Sequence, residues 1–75
     1  MSNRVRSKPD LKAIGLRIRA LRGDMRQEDL ALQLRVSQGQ LSKVERGKMS
    51  PTIGMLLAVA NRFSKSLDWI VRGGE

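Results

Sequence analysis

The sequence predicts an all-α fold, a bundle of five helices. Apolar residues recur at three- and four-residue spacing through five successive segments, the period of a helix with one buried face. A residue able to cap a helix N-terminus stands before each segment, and no stretch reads as a strand. At 75 residues the chain makes one small domain. A domain of this size buries only about 60% of its unfolded surface, so its stability rests on well-packed helices, on association, or on both.

The N-terminal stretch MSNRVRSKPD is basic, and residues 1–7 are expected to form a flexible arm ahead of a helical domain over residues 8–73. Ser7 with Asp10 three residues on has the pattern of a capping box, which starts the first helix near Lys8. Leu11, Ile14, Ile18 and Leu21 form its buried stripe, and Gly23 closes it. Asp24 is expected to cap the second helix, with Gln27 completing the box, and Leu30, Ala31 and Leu34 face inward. Ser37 and Gln40 then start a third helix that runs to about Arg46 and ends at Gly47. KMSPT is a loop, because the residue before Pro51 is pushed out of helical geometry. Thr52 caps a fourth, strongly apolar helix with Ile53, Leu56, Leu57, Ala60 and Phe63 expected inward. Ser66 caps a short last helix, LDWIVR, before Gly73 and Gly74.

Fifteen Lys and Arg stand against seven Asp and Glu, a formal charge of +8. Such an excess is the electrostatic footprint of a polyanion binder. There is no His and no Cys, so the commonest general base, thiolate metal ligands and disulfides are all missing. Enzyme activity, metal and cofactor are accordingly not expected. One Phe and one Trp are too few to stack successive single-stranded bases. No apolar run approaches the ~20 residues of a membrane span and no signal-peptide core opens the chain, which points to the cytoplasm.

The second and third helices, joined by a brief turn, make a helix-turn-helix candidate. LALQLRVSQGQLSKVERG resembles the signature of Cro and phage-repressor type helix-turn-helix domains, through Gln27, Leu30, Ala31, Leu34, Val36, Ser37, Leu41, Ser42, Glu45 and Gly47. SPT before the fourth helix and SLDWIVRG at the end extend the resemblance to about residues 14–73. It implies a lambda-repressor-like bundle and a sequence-specific regulator of transcription, a repressor, binding double-stranded DNA. Two departures stand out: Arg35 occupies the turn where the family places glycine, and the first connection is about two residues shorter than usual.

Helical geometry puts Leu41 and Val44 on one side of the third helix with Glu45 close by, and a buried carboxylate needs a partner. Arg22 projects from the first helix beside its apolar stripe. An Arg22–Glu45 pair is therefore expected, like the internal Arg–Glu pair of the family; the plain alternative is that both reach solvent. The opposite face centres on Gly39 and Arg46, flanked by Ser42 and Lys43, with Gln38 and Gln40 at its margins. A glycine there lets a helix backbone approach a major groove closely, unless it is only a tolerated surface glycine. Gln38, Gly39, Ser42 and Lys43 are thus the candidate base contacts: Gln38 suits adenine, Lys43 guanine, and Ser42 either. Arg46 and Lys48 suit phosphates, as do Ser37 and Gln40 at the helix start. Gln27 matches the glutamine with which the family clamps a phosphate.

The last helix carries Leu67, Trp69, Ile70 and Val71, more apolar surface than one core can take. Leu67, Trp69 and Ile70 are the candidate dimer interface, and the resemblance implies a homodimer on a palindromic operator, its recognition helices ~34 Å apart. No small-molecule ligand is evident. The competing readings are an antitoxin-like protein-interaction module and, more remotely, binding to a membrane surface.

Overall fold

Asp10 begins the first helix. The computed structural model of the protein describes residues 9–74. Asp10 Oδ1 accepts a hydrogen bond from the Ala13 N–H at 3.1 Å, and α1 runs Leu11–Arg22. The expected start near Lys8 is too early: Asp10 is the cap itself, because its carboxylate satisfies a free first-turn N–H directly. Ser7 and the arm of residues 1–7 lie outside the described residues.

The second helix, α2, covers Gln27–Leu34, and its N-cap is Arg26, with no side-chain cap hydrogen bond. Asp24 therefore does not cap it, and Gln27 does not complete a box. Arg22 closes the short connection instead. Its carbonyl accepts from the Met25 N–H at 3.0 Å, and its Nη1 donates to the Met25 carbonyl at 2.8 Å. Arg35 follows α2 in the left-handed region, φ 62°, so the turn is made at the position where the resemblance predicts a left-handed residue. An arginine there is strained by roughly 1–2 kcal/mol.

Hydroxyl caps start the remaining helices. Ser37 Oγ accepts from Gln40 N at 3.0 Å for α3, Gln38–Glu45. Thr52 Oγ1 accepts from Met55 N at 3.0 Å for α4, Ile53–Phe63. Ser66 Oγ accepts from Trp69 N at 3.0 Å for α5, Leu67–Arg72. Among the described residues the fold is all-α, with five helices and no strand.

Every helix contributes to one core: Ile14 and Ile18 from α1, Leu30, Ala31 and Leu34 from α2, Leu41 and Val44 from α3, Met55 and Val59 from α4, and Ile70 from α5. The face of α4 corrects the sequence expectation. Met55 and Val59 are its buried pair, while Leu56, Ala60 and Phe63 are half-buried beside the core. Ile53 and Leu57 point outward, 70% and 52% exposed. A helix that is apolar nearly all round does not mark its own inner face; its packing on α2 and α5 decides it. On α5, Arg17 Nη1 donates to the carbonyls of Ile70 and Val71 at 2.9 and 3.2 Å, pinning the end of the helix to α1.

α1 and α3 cross with their backbones close together. A Cβ added at Gly15 would stand under 3.0 Å from the carbonyl oxygens of Val44 and Glu45, so only glycine lets the two backbones meet. Gly15→Ala is expected to lower the free energy of unfolding by about 3 kcal/mol, measured by chemical denaturation, because backbone must shift rather than a flexible side chain.

Candidate nucleic-acid interface

The amphipathic pattern of α3 sorts its residues cleanly. Leu41, Val44 and Glu45 are buried, whereas Gln38, Gly39, Lys43 and Arg46 are exposed and Ser42 is half-buried. The outward face is thus polar and basic and carries no acid. At its centre, a Cβ added to Gly39 would meet nothing within 4 Å, so no packing inside the chain requires this glycine.

Glu45 is 3% exposed through its side chain and is met on three sides. Its Oε2 accepts from Arg22 Nε at 2.8 Å, and its Oε1 accepts from Arg22 Nη2 at 2.9 Å. The two planar groups therefore pair in bidentate fashion, the strong geometry for such a contact. Hydrogen bonding to Glu45 holds the Arg22 guanidinium above its ordinary pKa, against the burial that lowers it, with the carboxylate's charge adding to the rise. The third hydrogen bond comes from Gln27, whose Nε2 donates to Glu45 Oε1 at 3.0 Å.

That last bond has a consequence at the surface. Because the Gln27 amide nitrogen faces the carboxylate, its carbonyl oxygen faces out, where it accepts from Gln38 Nε2 at a long 3.4 Å. A chain of contacts thus runs from the buried pair to the first residue of α3. Residue spacing along single helices could not have found the Gln27–Glu45 bond, which joins the start of one helix to the end of another.

The other candidates sit as follows. The Ser37 oxygen accepts from the Gln40 N–H as a cap, and the Gln40 side chain is half-buried at the edge of the face. Arg46 Nε donates back to the Ser42 carbonyl at 3.3 Å, while Lys48 is exposed just beyond the helix. Gly47, at φ 74°, packs on the start of α1: a Cβ there would lie 2.8 Å from Lys12 Cα. The exposed residue Lys12 thus leaves α1 beside Gly47, a neighbour the sequence reading missed because it belongs to another helix. Of the expected dimer residues, Leu67 is 41% exposed and Trp69 half-buried, but Ile70 is fully buried in the chain's own core and is not available to a partner. Ile70 fills the gap that α5 must plug, a role that the four apolar residues of LDWIVR leave ambiguous in sequence.

Two helices joined by a left-handed turn, the second presenting a polar, basic face, define a helix-turn-helix DNA-binding domain. The helix-turn-helix family matches residues 16–70. Among solved structures, the P22 c2 repressor in complex with a synthetic operator is similar at 33% identity and TM-score 0.75, over 81% of this chain and 96% of that one. The restriction-modification controller protein C.AhdI from Aeromonas hydrophila is similar at 27% identity and TM-score 0.71, over 81% of this chain and 91% of that one. The clp gene regulator ClgR from Corynebacterium glutamicum is similar at 31% identity and TM-score 0.70, over 79% of this chain and 65% of that one. Among curated protein sequences none matches. The chain belongs to the helix-turn-helix family of the Cro and phage-repressor type and is a DNA-binding regulator of transcription.

The buried pair makes a direct prediction. Glu45→Ala strands a largely buried guanidinium and is expected to cost about 3–5 kcal/mol of stability by denaturant titration. Replacing Arg22 and Glu45 together by apolar residues of similar volume should restore most of that loss. The double variant still lacks the anchor of Gln27, so its DNA affinity should remain below that of the wild type.

Proposed function

We propose that this protein is a cytoplasmic repressor that binds a palindromic operator as a homodimer, with α3 in the major groove. The observation that carries the reading is the outward face of α3, polar, basic and free of acids, with Gly39 in open space at its centre. The P22 c2 repressor, similar over most of both chains, is a protein that engages an operator. In the described residues no helix is long and apolar enough to cross a membrane.

The contact chain through Gln27 supports a base-reading role for Gln38. With one amide hydrogen directed at Gln27, Gln38 keeps a second N–H and its carbonyl oxygen for the groove, the donor–acceptor pair that adenine N7 and N6 match. Lys43 donates to guanine O6 and N7, and Ser42 serves either base. Gln27, Ser37, Gln40, Arg46 and Lys48 hold the phosphates. Gln27 does so at the uncapped start of α2, where backbone N–H groups point outward. The Ser37 hydroxyl, although its oxygen serves as a cap, retains a proton to donate.

Selection of bound duplexes from a random pool tests the reading: a two-fold symmetric consensus is expected, and recovery of no consensus overturns it. On the selected duplex, log K is expected to fall linearly with log salt. Lys48→Ala and Arg46→Ala should weaken all duplexes alike and flatten that slope. Gln38→Ala and Lys43→Ala should each relax preference at one base pair, by about 1–3 kcal/mol. Gly39→Ala should raise stability by up to about 1 kcal/mol while lowering operator affinity. Unchanged affinity in that variant would make the residue a tolerated surface glycine.

A further inference from the structure

A glutamine amide has nearly the same shape either way round, so its partners decide which end is the nitrogen. Gln27 is half-buried between two partners. Its Nε2 donates to Glu45 Oε1 at 3.0 Å, and its Oε1 accepts from Gln38 Nε2 at 3.4 Å. The Glu45 carboxylate, paired with Arg22 and 3% exposed, accepts hydrogen bonds and donates none. Only the Gln27 nitrogen can face it, so the Gln27 oxygen is turned toward α3. Gln38 must then offer that oxygen a nitrogen. One acceptor in the core thereby sets two amides in series, the second at the exposed start of α3.

We propose that Glu45 determines base specificity through Gln27, by fixing which way round Gln38 presents its amide to the major groove. The inference rests on the reading of Gln38 as an adenine contact and adds to it a positioning residue with almost no surface of its own. Adenine shows an acceptor, N7, beside a donor, N6–H, whereas guanine shows two acceptors, N7 and O6. A Gln38 amide held one way sets an N–H against N7 and its oxygen against N6. Guanine O6 would meet that oxygen and be repelled. An amide free to turn over can give its nitrogen to guanine O6 instead, and the discrimination falls.

Glu45 is well placed for this role. It is held by bidentate pairing at 2.8 and 2.9 Å and belongs to the same helix as Gln38, so anchor and reader keep their spacing as α3 meets the duplex. Lys43 and Arg46 cannot stand in for it, since cations only donate and would draw the Gln38 oxygen rather than its nitrogen. The last link is long at 3.4 Å, so the expected effect is a shift of preference and not a loss of binding.

The test is the base preference of the double variant Arg22→Met/Glu45→Met, which removes the carboxylate without stranding the guanidinium. Gln38→Ala first identifies the base pair that Gln38 reads. There the preference of the double variant for adenine over guanine should fall about fivefold, the weight of one neutral hydrogen bond. Preference at the pair read by Lys43 should keep its wild-type value, whereas a merely structural pair would alter both alike. Adding Gln27→Glu is the rescue. A carboxylate at position 27 has no nitrogen to turn outward, so it holds the Gln38 amide the same way round, and it suits the first turn of α2. Adenine preference should return even as repulsion from phosphate lowers overall affinity. Unchanged preference in the folded double variant, equal losses at both base pairs, or no rescue each overturn the proposal. Should thermal melting show the double variant unfolded, Gln27→Met in the wild-type background breaks the link alone, and an unchanged adenine preference there overturns it. If Gln38→Ala alters preference at no base pair, the reading of Gln38 fails and the role of Glu45 fails with it. A Gln38 that reads a base but ignores these variants overturns the role of Glu45 alone.

Discussion

The burial of one carboxylate constrains much of this small domain. Glu45 is the only charged residue in the described core, and a carboxylate out of water must be met by donors. Arg22 supplies two and Gln27 a third. Those residues are the last of α1 and the first of α2, so the requirement draws the ends of three helices to one point. The angle of the helix-turn-helix pair to α1 is fixed there, and Gly15 lets the backbones approach closely enough to allow it. Such a pair adds little net stability over an apolar replacement. Its effect is on geometry: Gln27, which donates to the same carboxylate, also meets Gln38 at the start of α3.

What could be read in the sequence follows from whether a signal is local. The face of α3 was legible because buried Leu41 and Val44 contrast with Gln38, Gly39, Lys43 and Arg46 at helical spacing. Ser37, Thr52 and Ser66 were legible as caps because each is the last hydroxyl residue before its helical segment. Asp10 and Asp24 were misread for one reason: a residue that can cap declares the possibility, and contacts elsewhere decide its use. Arg22 settled Asp24 by binding the Met25 carbonyl and closing the connection without it. The inner face of α4 was illegible because Ile53, Leu57, Met55 and Val59 are chemically alike. The Gln27–Glu45 bond and the approach of Lys12 to Gly47 join different helices, and single-helix periodicity carries no information on either.

Two glycines and one arginine show how differently the same local rule is used. Gly15 has no room for a methyl group; Gly39 has open space all around it. Arg35 stands in left-handed geometry, where glycine would relieve the strain. Judged by stability alone, Gly39 and Arg35 are both poor choices, and both lie at or beside the helix that carries the polar, basic face. Residues that break local rules without a packing reason concentrate at functional surfaces. Gly15 breaks the helix rule as well, but the carbonyls of Val44 and Glu45 supply its reason within the fold.

The same tension appears at the start of α2. This helix has no side-chain cap, and Glu28 and Asp29 in its first turn complement the helix dipole instead. Their charge opposes a phosphate at the terminus where Gln27 would clamp one. On the DNA-binding reading, the contact there depends on directed hydrogen bonds from a neutral amide and from backbone N–H groups rather than on charge. Arg26 at that end is paired with Glu28, and Lys43, Arg46 and Lys48 stand toward the other end of the unit. On the DNA-binding reading, attraction and its salt dependence arise mainly toward the end of α3. On the same reading, register on the duplex comes from the start of α2, where a weaker but directional contact would be tied through Gln27 to the buried pair. Dividing the two tasks in this way would keep the orientation of a small basic domain on DNA from resting on nondirectional charge alone.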